Sequence, residues 1–237
     1  MTTINVNTIA PAGSTLTVGD SGDTIVAPEV KVNTVKDAGG NTLWVSNGSG
    51  VLSSVSGFGG ALTLISTQTA SSSAYIEFTS GIDSTYKEYI FKFITIHPAT
   101  DNSELEWNAT IDGGSNWDVT KTSAGFQAYH SDGGAGGTLG YTNGLAQSTG
   151  YQRLENNLGN AADECMGGSL HIFNPSSTTY VKSYYSETNN ISSDADNYSQ
   201  NWFAGGYLNT TSAVNGIRFK MSTGNIDAGK IKMYGIS

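Results

Sequence analysis

The run from Glu88 to Pro98, EYIFKFITIHP, constrains the fold more than any other stretch of the chain. It is the longest unbroken strand signal. Strand side chains alternate between two faces, so Tyr89, Phe91, Phe93, Thr95 and His97 share one side. Ile90, Lys92, Ile94 and Ile96 share the other. Both sides are largely apolar, which predicts an interior strand buried on both faces in a layered fold. Pro98 has no N–H to donate and is expected to end the strand. Asp83-Ser84 and Asp101-Asn102 flank it as turn formers.

Further strand signals follow at regular intervals. They cover 61–66, 74–79, 88–97, 104–111, 117–122, 125–130, 168–173, 179–186, 202–208, 216–221 and 230–236. Gly, Asn, Asp and Ser turns separate them, at 112–114, 132–134, 174–177, 209–211 and 222–225. Leu105, Trp107, Ala109 and Ile111 form one alternating face; Ile217, Phe219 and Met221 form another, and Ile231 and Met233 a third. This pattern predicts an all-β chain whose head, 61–237, is a jelly-roll-like β-sandwich. The Gly- and Asn-rich stretch 133–160 has few periodic apolar residues and is expected to be a long surface loop, of the kind that carries binding residues.

The front of the chain differs. Residues 1–56 hold short apolar pieces between well-formed turns: Ile4, Val6, Ile9, Leu16, Val18, Ile25, Val32, Val35 and Trp44. The turn Asp37-Ala38-Gly39-Gly40-Asn41 is one example. These apolar residues are too few to close a core in one copy. Such a segment becomes stable when copies wrap around each other or lie along a larger structure, which makes these residues candidates for trimerisation and attachment. Glycines at 57–60 read as a linker.

Composition narrows the function. Hydrophobic residues are 37% and charged residues 13%, with 30 glycines and 10% aromatics, which fits an ordered, turn-rich β protein rather than a helical or disordered one. The net charge of −9 and pI of about 4.6 weigh against nucleic acid and anionic membranes as partners. The single Cys165 allows no intrachain disulfide. No apolar run is long enough to span a bilayer, and the opening Met-Thr-Thr-Ile-Asn lacks the features of a signal peptide, so synthesis in the cytoplasm is expected.

No catalytic constellation emerges, and no enzyme activity is expected. There is no Gly-x-Ser-x-Gly elbow. Cys165 follows Asp163-Glu164, whose charge disfavours a thiolate, and reads as an inert thiol. Glu104 and Glu106 share a strand face; paired carboxylates serve glycoside hydrolysis, but this pair reads as solvated. His97 and His171 read as structural residues. No cofactor is expected; Asp194, Asp196 and Asn197, and separately Asp20 and Asp23, read as acidic loops with Ca²⁺ binding as the alternative. Aromatics near Asn-rich segments, among them Tyr184 and Tyr185, suit glycan stacking. The candidate ligand contacts are Tyr129, His130, Tyr141, Tyr151, Tyr198 and Trp202.

Several stretches carry a resemblance. IEFTSGIDSTYKEYIFKFITIHPATD from Ile76 onward, HIFNPSSTTYVKSYYS at 171–186, GYLNTTSAVNGIRFKMSTGNI at 206–226 and the ending KIKMYGIS resemble a domain of structural proteins in marine bacteriophages. VNTVKDAGGNTLWVSNGSGVLSSV at 32–55 is similar to linker segments of phage tail-fibre and head-fibre proteins. The resemblance implies a homotrimeric virion surface appendage. Its N-terminus would attach to tail or capsid proteins, and its β head would contact a host-surface glycan. A capsid decoration or head-fibre protein is the alternative, and a polysaccharide depolymerase the second alternative. The family pattern brings no catalytic residues.

Overall fold

The computed structural model describes residues 34–46, 49, 52–55, 62–134, 137–142, 144–194 and 197–236. The chain divides into two compact units, Met1–Phe58 and Gly59–Ser237. Ile4, Val6, Ile9, Leu16, Val18, Ile25, Val32, Asp20, Asp23, Asp196 and the 57–60 glycines lie outside the described residues.

In the first unit, β1 (Thr34–Lys36), β2 (Thr42–Ser46) and β3 (Leu52–Val55) form an antiparallel meander. The expected turn joins β1 to β2. The Asn41 backbone N–H and side-chain amide both donate to the Asp37 carboxylate, at 2.8 and 3.0 Å. Those bonds hold the Asp37 carboxyl below its ordinary range. Gly40 supplies the left-handed conformation, φ +83°. Val35 pairs with Trp44 across the ladder, and both are only half-buried. No described side chain of this unit is buried.

The described residues of the second unit form a β-sandwich of twelve strands: β4 (Thr63–Thr69), β5 (Ile76–Phe78), β6 (Glu88–Pro98), β7 (Leu105–Thr110), β8 (Lys121–Ser131), β9 (Thr138–Thr142), β10 (Gln152–Arg153), β11 (Met166–Phe173), β12 (Lys182–Ile191), β13 (Tyr198–Leu208), β14 (Gly216–Met221) and β15 (Ile226–Ile236). All pair antiparallel. One sheet runs β4-β15-β6-β11-β12-β13-β8-β9, the other β10-β7-β14-β5. Number the strands β4, β5, β6, β7, β10, β11, β14 and β15 from first to eighth. The two sheets then read 1-8-3-6 and 5-4-7-2, which is jelly-roll connectivity. Two hairpins are inserted into this frame. β8–β9 lies between the fourth and fifth strands, and β12–β13 between the sixth and seventh. Together they extend the larger sheet beyond β11 by four strands.

The core lies between the smaller sheet and the frame strands of the larger one, joined by Tyr184 of β12 and Leu208 of β13. Phe219 of β14 meets Phe78, Phe91 and Phe93 at centroid distances of 6.3, 5.4 and 5.3 Å. Trp107 of β7 stands edge-on to Tyr184 of β12 at 4.8 Å. The alternating faces read from the sequence, Leu105/Trp107/Ala109 and Ile217/Phe219/Met221, point inward, as do Ile231 and Met233. Ile111 is exposed because β7 ends one residue earlier.

Three expectations are corrected. The Glu88–Pro98 strand is interior to its sheet but is not buried on both faces: Lys92 and Ile94 are exposed on the outer side, where only Ile90 is buried. A bulge explains the rest. Thr95 takes φ +51°, the pairing with β15 shifts register, and Ile96 swings into the core. Gly229 of β15 makes room for it; a Cβ there would stand 2.5 Å from the Thr95 carbonyl oxygen. The separate strands predicted at 117–122 and 125–130 are one strand, β8, and Trp117 precedes it. The stretch 133–160 contains β9, β10 and the fully buried Leu154 and Leu158, so it is not only a surface loop.

Candidate functional site

The four-strand extension presents two faces of different chemistry. On its outer face, register brings aromatic residues together from strands far apart in sequence. His171 opposes Tyr185 across β11 and β12, and their rings stack at 4.4 Å. Phe203 of β13 opposes Phe126 of β8, stacked at 4.9 Å, and Phe126 opposes Tyr141 of β9. Tyr185 opposes Gly205, which has no side chain to fill the space beside it. The result is a groove of about 370 Å³ with Ala124 and Gly205 in its floor and Phe126, Tyr141, Tyr185 and Phe203 along its sides. Tyr141 is 97% exposed, Leu139 71%, and Phe126 and Tyr185 43% each.

Polar groups border the aromatic rows. Glu187 opposes Phe203 in register, and Asn189 donates to Asn201 Oδ1 at 2.9 Å. His171 Nδ1 lies 2.6 Å from Glu88 Oε1, an ion pair when the ring is protonated. Burial, followed by the charges of Glu88 and Glu187, pushes the Tyr185 hydroxyl above its ordinary pKa. Apolar ring faces flanked by carboxylate, amide and hydroxyl groups can stack a sugar ring and bond its hydroxyls.

The inner face of the same strands is polar where the smaller sheet no longer covers it. Gln127, Tyr129, Tyr198 and Gln200 face the segment carrying Asn156 and Asn157 across a recess of about 250 Å³. That segment is tied down: Thr188 Oγ1 donates to the Leu154 carbonyl, Asn190 Nδ2 to the Asn156 carbonyl at 3.0 Å, and the Ser193 N–H to the Asn157 carbonyl at 2.8 Å.

The predicted ligand contacts thus fall in several places. Tyr129 and Tyr198 meet edge-on at 5.3 Å on the inner face. Trp202 shares that face but is buried, only 3% exposed. His130 is exposed on the outer side of β8. Tyr141 belongs to the groove. Tyr151 is elsewhere, on the outer side of the smaller sheet, with Lys220 Nζ 4.8 Å above its ring. Phe126, Phe203 and Gly205 were missed, since only cross-strand register unites them. Gln127 and Gln200 were missed because polar residues in a strand read as solvated.

The remaining chemistry-bearing residues have structural partners. Glu104 pairs with Arg153 at 3.2 Å, and Glu106 with Lys220 at 3.2 Å. Arg218 pairs with Glu77 and lies between the Tyr75 and Trp117 rings, at 4.6 and 4.5 Å. His97 Nδ1 lies 3.6 Å from Asp227. Cys165 is half-buried. Asp194 borders the recess, and no cluster of three or more His, Cys, Asp or Glu side chains able to hold a metal occurs among the described residues. No protein family, curated protein or solved structure matches the chain.

Proposed function

We propose that this chain is a non-catalytic bacteriophage surface appendage. Its first unit attaches and trimerises it, and its β head contacts a host-surface glycan through the outer groove of the four-strand extension. The groove carries the reading for the head: four aromatic side chains from β8, β9, β12 and β13 border a floor kept open by Gly205 and Ala124, with Glu187 and Asn201 nearby. The first unit supports the attachment role because none of its described side chains is buried, leaving Val35 and Trp44 to gain cover from sister copies or virion proteins. Burial of that surface would contribute at about 25 cal/mol per Å² of apolar area.

The test is an array of bacterial surface polysaccharides probed with the full chain and with a Phe126→Ala/Tyr141→Ala double variant. Retention by the wild type, lost in the variant, is the expected outcome. An array on which the wild type binds nothing at micromolar concentration would sink the glycan reading.

A second reading, capsid decoration with a structural role, draws on the same exposed face. Leu139 and Tyr141 stand on an edge strand, and such an edge invites pairing with a neighbouring chain. Under that reading Tyr141 becomes protected from chemical modification in intact particles. Under the glycan reading it stays reactive there.

A further inference from the structure

The polar recess on the inner face is a different kind of site from the groove. Its distinguishing feature is a set of buried acceptors with nothing to accept. Gln200 is only 5% exposed and borders the recess, and its Oε1 has no hydrogen-bond partner among the described residues. Gln127 Oε1, on the neighbouring strand and also bordering the recess, has none among them either. A buried amide oxygen left unpaired destabilises a fold by about 1–3 kcal/mol, so two on neighbouring strands point to a partner that the described residues do not supply. A glutamine amide can turn end for end, so the partner is one that both donates and accepts hydrogen bonds.

Three partner classes can be weighed. A divalent cation needs several oxygen ligands carrying negative charge. Asp194 is the only carboxylate among the described residues bordering the recess. An ammonium group would find that one carboxylate but would leave most of the recess unfilled. A sugar residue matches the remaining features. Its hydroxyls donate to Gln127 and Gln200 and to Asp194, while its C–H face rests against the Tyr129–Tyr198 pair. A recess of about 250 Å³ suits a single small ring rather than a chain of them.

We infer that the recess formed by β8, β13 and the strap at Asn156 and Asn157 binds one uncharged, hydroxyl-rich sugar residue through Gln127 and Gln200. This site lies on the opposite sheet face from the groove and stands whether or not the groove takes a glycan. The same acceptors explain a departure from an apolar sandwich interior: replacing Gln200 with leucine removes an unpaired oxygen and leaves the residue's bulk.

The test uses the full chain, isotope-labelled so that the side-chain amides of Gln127 and Gln200 are resolved by NMR. The probes are the methyl glycosides of glucose, galactose, mannose and N-acetylglucosamine, with calcium chloride as a separate arm. At least one glycoside is expected to shift both amides saturably, with millimolar affinity. Gln200→Leu is expected to weaken that glycoside at least tenfold while melting no lower than wild type. Should Gln200→Leu fail to fold, Gln127→Leu is read in its place with the same expectation. Gly205→Val, which alters only the groove, should leave the shifts unchanged. Absence of any shift with all four glycosides overturns the proposal. So does unchanged affinity in the glutamine variants, or a response of these amides to calcium alone.

Discussion

Lys121 sits where the extension joins the jelly-roll frame, and its ionisation should make that junction pH-sensitive. The side chain is fully buried at the start of β8. Its Nζ donates to Asn108 Oδ1 of β7 at 2.5 Å and to the Val119 carbonyl at 3.0 Å, and no carboxylate among the described residues bonds it. Burial pushes its pKa from 10.5 down to about 7, opposed in part by the charge of Asp118. Below pH 7 the amine is charged in the folded and unfolded chains alike, and the fold bears the full desolvation cost. At ~1.36 kcal/mol per pH unit, that cost is about 5 kcal/mol. Between pH 7 and 10.5 the unfolded chain binds the extra proton, so stability rises with pH, and above 10.5 the cost is gone. Other groups titrate too, and a paired comparison removes them. In Lys121→Met the Asn108 oxygen keeps its bond from the Ala109 N–H, at 2.8 Å. Urea unfolding of both proteins at about pH 7 and about pH 9.5 should show the wild type gaining roughly 3 kcal/mol on the variant over that interval. Parallel pH profiles for the two proteins would refute the assignment of a buried, largely neutral amine.

Other outcomes follow from the same packing. Phe219→Ala removes the ring shared by three phenylalanines and should lower unfolding free energy by about 3–5 kcal/mol in denaturant titrations. Gly168→Ala places a Cβ 2.4 Å from the Glu187 carbonyl oxygen at φ +149°, and should destabilise by about 2 kcal/mol or more while Gly140→Ala, which meets open space, stays near neutral in the same assay. Burial holds the Glu155 carboxyl well above its ordinary range, against the bond that it accepts from the Leu105 N–H. The folded chain therefore keeps a proton that the unfolded chain loses, and stability from this group falls as pH rises above the unfolded carboxyl value; Glu155→Gln should flatten that decline in thermal melts.

The jelly-roll frame was legible in the sequence to the extent that its strands are amphipathic. β14 was bounded to the residue, because Ile217, Phe219 and Met221 alternate cleanly with Arg218 and Lys220 between Asn215-Gly216 and Ser222-Thr223. The extension was not. β8 reads as two pieces because Thr122, Ser123, Ala124 and Gly125 carry little strand signal, and it pairs with β13, which begins only at Tyr198, so local propensity does not set the pairing. The bulge at Thr95 was hidden because its positive φ belongs to a non-glycine residue, held in place by a glycine on the next strand. Tyr129, Tyr141 and Tyr198 are candidates from composition around loops, but which of them share a face depends on register alone. The burial of Leu154 and Leu158 came from two apolar side chains in a polar stretch, too sparse to show a period.

The most direct measurement concerns Gly205. A Cβ at this position meets the Tyr184 carbonyl oxygen and Tyr185 Cβ at 3.6 and 3.7 Å, ordinary contact distances, and Gly205→Val carries two further methyl groups into the groove floor. The affinity of this variant for the polysaccharide that retains the wild type, measured beside its melting temperature, isolates the groove. A loss of tenfold or more at an unchanged melting temperature is the expected result; undiminished binding by a folded Gly205→Val would contradict the groove as the contact surface.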